Sequence, residues 1–204
     1  MHSIHSKILG RIYGHGRGWV FTQKDFSDLG SRQAIDVSLH RLCRGEKIRC
    51  ICRGIYGYPE YSEFLGKYIS PDFGMVSDAI SRKYGWRTCP NGETALNILG
   101  MSTQLPAKIV YLSDGPTKNF KIGNQVISFK NTSLRDLQIK NRMSAIVVQA
   151  LKSLGAEHIE KEIIGKFRKR LKGTDKKKLL KESKYLADWI YEAIKKICDG
   201  DENG

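Results

Sequence analysis

A change of hydrophobic period within residues 31–58 constrains the fold of this chain more than any other feature. The first half of the stretch carries one apolar stripe at the spacing of an α-helix, formed by Ile35, Leu39 and Leu42. Ser31 precedes the stripe and is a favourable N-cap, because its hydroxyl can accept a hydrogen bond from a free N–H group of the first turn. Gly45 follows the last apolar position. The pattern predicts a helix between Ser31 and Gly45 with a polar outer face.

The second half of the stretch alternates as a β-hairpin does. Residues 48–53 place Ile48, Cys50 and Cys52 on one face and Arg49, Ile51 and Arg53 on the other. Arg53 and Gly54 supply a turn, and residues 55–58 return as a second strand. A helix with a polar outer face, followed directly by a basic hairpin, is typical of the recognition helix and wing of a winged helix-turn-helix.

The residues before this stretch supply the other elements of such a domain. Ser3 can cap a first helix, and residues 19–21 form a short strand that can pair with the hairpin. A second helix is predicted from Thr22, because Asp25 three residues later completes a capping box. The order helix, strand, helix, helix, strand, strand predicts a winged helix-turn-helix DNA-binding domain over residues 1–66.

From Lys67 onward the pattern predicts an α+β domain over residues 67–198. Ser70-Pro71-Asp72 opens a helix with proline at its first helical position, and residues 90–93 open another. A small, mostly antiparallel sheet is expected from strands at residues 86–88, 108–112, 119–122 and 125–130. C-terminal helices are expected at residues 142–154, 156–171, 175–182 and 186–197. The acidic tail at residues 199–204 is expected to be disordered.

The charge of the chain favours a polyanionic partner. Lysine and arginine outnumber aspartate and glutamate by 35 to 21, for a formal charge of +14. Such a balance is typical of proteins that bind nucleic acid or an anionic membrane. No apolar run approaches the roughly 18 residues that would span a bilayer, and the N-terminus lacks the apolar region of a signal peptide. We therefore expect a cytoplasmic protein with no membrane partner.

The sequence contains no recognisable catalytic or metal-binding motif. Its five cysteines are odd in number and irregularly spaced, which disfavours a disulfide framework. Cys43, Cys50 and Cys52 lie close together, but no histidine or fourth cysteine follows at zinc spacing, so buried, reduced thiols are predicted. The acidic residues of the second domain are separated by turns. We expect no enzyme activity, no metal and no cofactor.

The polar face of the predicted recognition helix supplies the candidate base contacts. In a helix-turn-helix the second helix lies in the major groove, with its N-terminal residues foremost. Gln33 can pair with adenine, Arg32 can bind guanine or a phosphate, and Val37 can contact a thymine methyl. Later cations of the helix and wing, and backbone N–H groups of the preceding helix, are candidate phosphate contacts. The predicted DNA-binding residues are Thr22, Gln23, Ser31, Arg32, Gln33, Asp36, Val37, His40, Arg41, Arg44, Arg49 and Arg53.

A second basic region lies near the C-terminus. Residues 131–204 carry a net charge of +6, against +4 for residues 1–66. Three interpretations stay open: a solvated helix face, a further DNA contact, or a contact with an acidic surface of a partner protein. The predicted basic patch comprises Lys166, Arg168, Lys169, Arg170, Lys172, Lys176, Lys177 and Lys178.

Several short motifs connect the chain to a known family. They are Arg41-Leu42 at the end of the predicted helix, the basic strand Gly45 to Arg49, and the turn Arg53-Gly54-Ile55-Tyr56. With these motifs the N-terminal module resembles the winged-helix domain of AbiEi-family antitoxins. The segment LPAKIVYLSDGPTKNFKIGNQVISF resembles the second domain of that family, and the likeness covers roughly residues 3–170.

The resemblance implies a bacterial type IV toxin–antitoxin, or abortive-infection, system of phage defence. Such an antitoxin represses its own operon by binding inverted repeats in promoter DNA. It also counteracts a nucleotidyltransferase-like toxin without requiring a stable complex with it. In that family the second domain is tied to antitoxin action and assists DNA binding. Two alternatives stay open: a winged-helix regulator whose second domain senses a ligand, and a nucleic-acid-processing enzyme that docks through its winged helix.

Overall fold

The computed structural model describes residues 3–102, 108–133 and 137–199. The helices are α1 (Ile4–His15), α2 (Arg32–Arg44), α3 (Phe73–Tyr84), α4 (Gly92–Ile98), α5 (Arg142–Leu154), α6 (Lys161–Arg170), α7 (Gly173–Ser183) and α8 (Asp188–Cys198). The strands are β1 (Val20–Phe21), β2 (Arg49–Cys52), β3 (Ile55–Gly57), β4 (Tyr61–Ser62), β5 (Lys67–Tyr68), β6 (Thr88–Pro90), β7 (Ile109–Ser113), β8 (Lys118–Ile122) and β9 (Gln125–Asn131). The predicted α+β class is confirmed. The expected tail, beyond Asp199, and residues 105–107 of the segment that resembles the second antitoxin domain lie outside the described residues.

The described chain divides into two compact units. The first contains the residues up to Trp86 together with Phe120–Ile127, and the second contains Arg87–Asn119 and the residues from Ser128 onward. The division thus falls after α3, whereas the sequence analysis assigned that helix to the second domain. Aromatic packing contributes to this grouping, since the Tyr84 ring lies 4.6 Å from that of Trp86 and 5.9 Å from that of Phe120.

The core of the first unit forms where α1 and α2 pack beside a three-stranded sheet of order β1-β3-β2. Both strand pairs are antiparallel, and Phe21 of β1 lies opposite Tyr56 of β3. The predicted apolar stripe of α2 is confirmed, because its three members are at most 2% exposed. The buried core residues are Ile8, Ile12, Phe21, Phe26, Ile35, Leu39, Leu42 and Ile48.

The helix predicted from Thr22 is a single 3-10 turn over Gln23–Phe26. Its capping box is confirmed, since the Thr22 N–H donates to Asp25 Oδ2 at 2.7 Å. An α-helix would need the Asp25 carbonyl for the N–H of Leu29, but that carbonyl accepts from Arg11 Nη1 at 2.8 Å. The Leu29 N–H donates to Phe26 instead. The chain thus leaves helical geometry after one turn, and Arg11 of α1 satisfies the Asp25 carbonyl that this turn leaves without a helical partner.

Arg11 also anchors the residue that follows this turn. Its Nη1 and Nη2 atoms donate to the two carboxylate oxygens of Asp28 at 2.7 and 2.6 Å. This paired hydrogen bond lowers the pKa of Asp28 to about 2. The fork geometry of a guanidinium matches a carboxylate, which gives the contact a defined direction. Arg11 thereby fixes the 3-10 turn against α1, next to the N-terminus of α2.

The second unit contains a helical core together with β6, β7, the start of β8 and the end of β9. The sheet order is β6-β7-β9-β8, and Phe120–Ile127 of the hairpin formed by β8 and β9 is grouped with the first unit. Phe167, Leu179 and Ile194 are fully buried in that core. The predicted helix over residues 156–171 is divided, because a 3-10 turn at Ala156–His158 precedes α6. The predicted strand at residues 86–88 lies at Thr88–Pro90 instead. No helix in the described ranges is long and apolar enough to cross a lipid bilayer.

The start of α3 differs from the prediction by two positions, since the helix begins at Phe73 and not at Pro71. Asp72 is the N-cap and accepts from the Met75 N–H at 2.8 Å. Pro71 therefore lies just before the helix and not at its first helical position. A carboxylate at the N-cap satisfies a free N–H group directly, and proline has no N–H to satisfy.

Candidate nucleic-acid interface

The outer face of α2 carries most of the predicted DNA-binding side chains. Because the apolar stripe of the helix is buried, most of the side chains on the opposite side point away from the core, whereas Ser38 is buried beside the stripe. Ser31 caps the helix by accepting from the Ala34 N–H at 3.3 Å. Val37 is 45% exposed, so an apolar group lies uncovered among polar ones. The exposed residues of this face are Arg32, Gln33, Val37, His40, Arg41 and Arg44.

A polar network joins the first turn of α2 to the 3-10 turn. Asp36 Oδ2 lies 3.8 Å from Arg32 Nε, one helical turn away. When its amide is oriented to satisfy both neighbours, Gln23 donates to Asp36 at 2.5 Å and accepts from Arg32 Nε at 3.3 Å. These contacts compensate the Asp36 charge and use only the Nε atom of Arg32. Both Nη groups of Arg32 stay available for an anion or a base edge.

The structure does not support the expected phosphate contact of Thr22. The residue is fully buried, and its N–H already donates to Asp25. Its hydroxyl accepts from the Lys24 N–H at 3.1 Å. Thr22 therefore shapes the 3-10 turn, and its burial keeps it away from a phosphate. The prediction for Thr22 failed because a capping box uses the groups that an exposed helix start would offer.

The turn between β2 and β3 is anchored through its main chain. Gly54 has a φ of 74°, and a Cβ at that position would lie 2.6 Å from Lys83 Nζ. Lys83 of α3 donates to the Arg53 carbonyl oxygen. The Arg53 guanidinium is exposed and makes no hydrogen bond or ion pair with any described residue. A fixed backbone thus presents a free cation, which suits a phosphate contact.

Arg49 lies at the opposite end of β2 from this turn. Its guanidinium stacks over the Tyr68 ring of β5, 3.7 Å from the ring centroid. An arginine held by an aromatic face gains cation–π attraction and loses some of its freedom to reach other partners. The structure therefore does not bring Arg49 and Arg53 together, although both were predicted as DNA-binding residues of the wing.

The cysteines of the first unit are less buried than predicted. Cys50 is exposed, and Cys43 and Cys52 are partly buried; all five cysteines of the chain are free thiols. A register shift between Cys50 and Cys52 breaks the strict alternation of β2, so the two thiols do not share one buried face. Burial raises the pKa of Cys43 and of Cys52. No group of three or more potential ligands that could hold a metal occurs within the described ranges.

The predicted basic patch of the second unit is only partly a surface. Lys176 is 8% exposed, and Arg168 donates to the Lys196 carbonyl from Nε at 3.2 Å and from Nη2 at 2.5 Å. Lys166 is exposed but pairs with Glu162 at 2.7 Å. Arg168 and Lys176 therefore contribute to the packing of α6, α7 and α8. The exposed members of the patch are Lys166, Lys169, Arg170, Lys172, Lys177 and Lys178.

Two residues of α3 position this surface and were missed by the sequence analysis. Arg82 donates to Asp25 Oδ1 at 3.1 Å and to the Val20 carbonyl at 3.1 Å. Lys83 donates to the Arg53 carbonyl in the turn between β2 and β3. Both contacts join residues at least 30 positions apart. No local pattern marks such residues, because a cation on an amphipathic helix has the same signature whether it is solvated or paired.

Comparison with known proteins places the chain in a family. Residues 7–179 match a family of unknown function, DUF6088, and the chain belongs to that family. No curated protein matches it. The crystal structure of the RV2827C protein from Mycobacterium tuberculosis is similar with a TM-score of 0.41 and 13% sequence identity, over 98% of this chain and 77% of that chain. A likeness at this level carries no argument about function.

Proposed function

We propose that this member of the DUF6088 family is a sequence-specific transcriptional repressor that binds duplex DNA through α2 and the turn between β2 and β3. The observation that carries the proposal is the uncovered face of α2, where polar and cationic side chains surround Val37. All of these side chains are exposed, while the opposite face of the helix is packed into the core. Such a face is available to a groove without any rearrangement of the first unit.

We assign the first unit to the winged-helix class. The order α1, β1, 3-10 turn, α2, β2, β3 supports this assignment, as does the strand order β1-β3-β2. In such a domain α2 is the recognition helix and the β2–β3 ribbon is the wing. At 13 residues α2 is about 20 Å long, and a major groove about 12 Å wide admits a helix of this kind.

Different residues serve base readout and phosphate binding in this proposal. Gln33 is exposed near the N-terminus of α2, and its amide can bond both N6 and N7 of adenine. Arg32 is oriented by Gln23 and Asp36, and its Nη groups can reach a guanine or a phosphate. Arg41 and Arg44 lie in the last turn of the helix and supply phosphate contacts, which set affinity and not sequence preference.

The substitution Gln33→Ala tests base readout directly. A good bidentate pair contributes about 1–3 kcal/mol of discrimination, so the preference for the chain's own promoter over random duplex should fall roughly 5- to 150-fold. Arg44→Ala is the matched control on the same helix. It should weaken binding to both duplexes alike and leave their ratio unchanged. Footprinting and competition titrations measure both quantities.

Two outcomes of this experiment would refute the proposal. The wild-type protein could protect no defined site in its promoter, which would remove sequence-specific repression. Alternatively, Gln33→Ala could keep the full preference for that site, which would remove α2 from base readout. Both replaced side chains are exposed, so both variants should keep the fold of the wild type. Thermal melting of the two variants checks this.

We also propose that the protein acts as an antitoxin in the bacterial cytoplasm, against a nucleotidyltransferase-like toxin and without a required stable complex. The motifs at Arg41-Leu42, Gly45 to Arg49 and Arg53 to Tyr56 support this role. In this proposal the antitoxin bound at promoter inverted repeats also regulates its own operon. Co-expression with an adjacent nucleotidyltransferase gene should restore growth, and Gln33→Ala should still restore it. Failure of the wild-type chain to restore growth would contradict the antitoxin role.

A further inference from the structure

Two adjoining surface pockets in the second unit are independent of the proposed duplex-binding surface. They share three lining residues, Gln138, Ile139 and Lys140. The first pocket, of about 320 Å³, is completed by Arg87, Thr88 and Cys89. The second, of about 260 Å³, is completed mainly by Lys181 and Tyr185. Hereafter they are called the Arg87 pocket and the Tyr185 pocket.

Tyr185 gives the second pocket an unusual wall. Its side chain is 95% exposed, just beyond the C-terminal end of α7, and both faces of the ring are open to a ligand. Ile139 and Leu186 line the same pocket and are partly buried, so they provide an apolar floor. A flat ligand can therefore stack on Tyr185 while its edge rests on apolar groups.

The charges around the pockets favour an anionic ligand. Lys140 and Lys181 line the Tyr185 pocket and Arg87 lines its neighbour, and all three side chains are exposed. The one acid in the lining, Glu182, accepts from the Asn141 N–H with both carboxylate oxygens at 3.2 Å. Lys177 and Lys178 lie one helical turn before Lys181 and extend the positive charge along α7.

We propose that the second unit binds single-stranded nucleic acid, with one base stacked on Tyr185 and neighbouring phosphates held by Lys140, Lys181 and Arg87. The volume of the Arg87 pocket is at the lower limit of the roughly 300–1,000 Å³ typical of sites for drug-sized ligands, and that of the Tyr185 pocket is below it. Pockets of this size suit a single nucleotide. Two such pockets side by side suit successive nucleotides of one strand. Gln138 lines both pockets and can hydrogen-bond a base edge. Bases inside a duplex are already stacked and paired and cannot occupy Tyr185.

Replacement of Tyr185 tests the stacking contact, with Tyr185→Phe as the matched control. Fluorescence anisotropy with the full chain would use oligo-rU and oligo-dT of about eight nucleotides and a random-sequence duplex. Tyr185→Ala should weaken single-strand binding roughly 5- to 150-fold, because base–aromatic stacking contributes on that scale. Tyr185→Phe keeps the ring and should bind as the wild type does. Neither substitution should change the affinity for the duplex.

The lysines provide a second measurement. Lys181→Ala should lower the salt dependence of single-strand binding by about 0.7 per lost phosphate contact. Lys161→Ala, an exposed lysine of α6 outside both pockets, should leave it unchanged. Tighter binding of oligo-rU identifies the strand as RNA, and tighter binding of oligo-dT identifies it as DNA. With either oligonucleotide, weaker binding by Tyr185→Ala but not by Tyr185→Phe supports the site.

Three results would overturn the proposal. The wild type could fail to bind a single strand, or Tyr185→Ala and Tyr185→Phe could bind it equally well. Alternatively, Tyr185→Ala could lose as much affinity for the duplex as for the single strand. Gln33→Ala should leave single-strand binding intact. The outcome is therefore separate from that of the proposed repressor function.

Discussion

Replacing Arg53 by alanine tests whether the ribbon turn holds a DNA phosphate. The substitution removes an exposed guanidinium but keeps the carbonyl that Lys83 anchors. One lost phosphate contact lowers the slope of log K against log salt concentration by about 0.9. Over a roughly fourfold increase in salt, the wild type should therefore lose about 3.5-fold more affinity than the variant. Binding to all sequences should weaken alike, since a phosphate contact carries no sequence information.

The control, Arg49→Ala, removes the same charge at the end of β2 that is far from the turn. Arg49 lies over the Tyr68 ring at 3.7 Å, so Arg49→Ala should leave the salt slope close to that of the wild type. Duplex titrations by anisotropy at several salt concentrations give the three slopes. An unchanged slope for Arg53→Ala would remove the phosphate contact from the proposal. Equal decreases in both variants would show that the effect follows net charge and not the position of the turn.

Two further predictions concern stability. Glu46 has a φ of 56°, a conformation that costs a non-glycine residue about 1 kcal/mol. Glu46→Gly should therefore raise the free energy of unfolding in urea by about 0.5–1 kcal/mol, whereas Lys47→Gly beside it should lower it. The pKa of Asp28 is about 2, against its ordinary value of 3.8. The Arg11–Asp28 pair therefore stabilises the fold above pH 3.8 and loses this effect as the pH falls toward 2. Asp28→Asn should be less stable at neutral pH and approach the wild type at low pH, and a gap independent of pH would contradict this reasoning.

The elements that carry a strong local pattern could be predicted from the sequence. The stripe Ile35, Leu39, Leu42 and the cap Ser31 together define α2, because a helix with one buried face repeats every three to four residues. The β2–β3 ribbon could be predicted from the alternation of its residues and from a glycine at its turn. Most of the exposed face of α2 could be predicted for the same reason. Once one side of a helix is committed to the core, the geometry of the helix assigns the other side.

What only the tertiary structure decided depends on contacts between residues far apart in the chain. The expected helix after Thr22 is a 3-10 turn, and Arg11, 14 positions before Asp25, satisfies the carbonyl that this turn leaves free. The two arginines of the predicted wing look alike in sequence, yet Lys83 leaves the Arg53 side chain free while Tyr68 holds that of Arg49.

The C-terminal basic run shows the same limit. Lys176 is buried and Lys177 is exposed, although the two are identical neighbours in the sequence. The Tyr185 pocket likewise requires residues 138–140 and α7 to meet. Local periodicity determines which face of an element is buried, but the partner of each exposed charge or ring depends on how the elements pack.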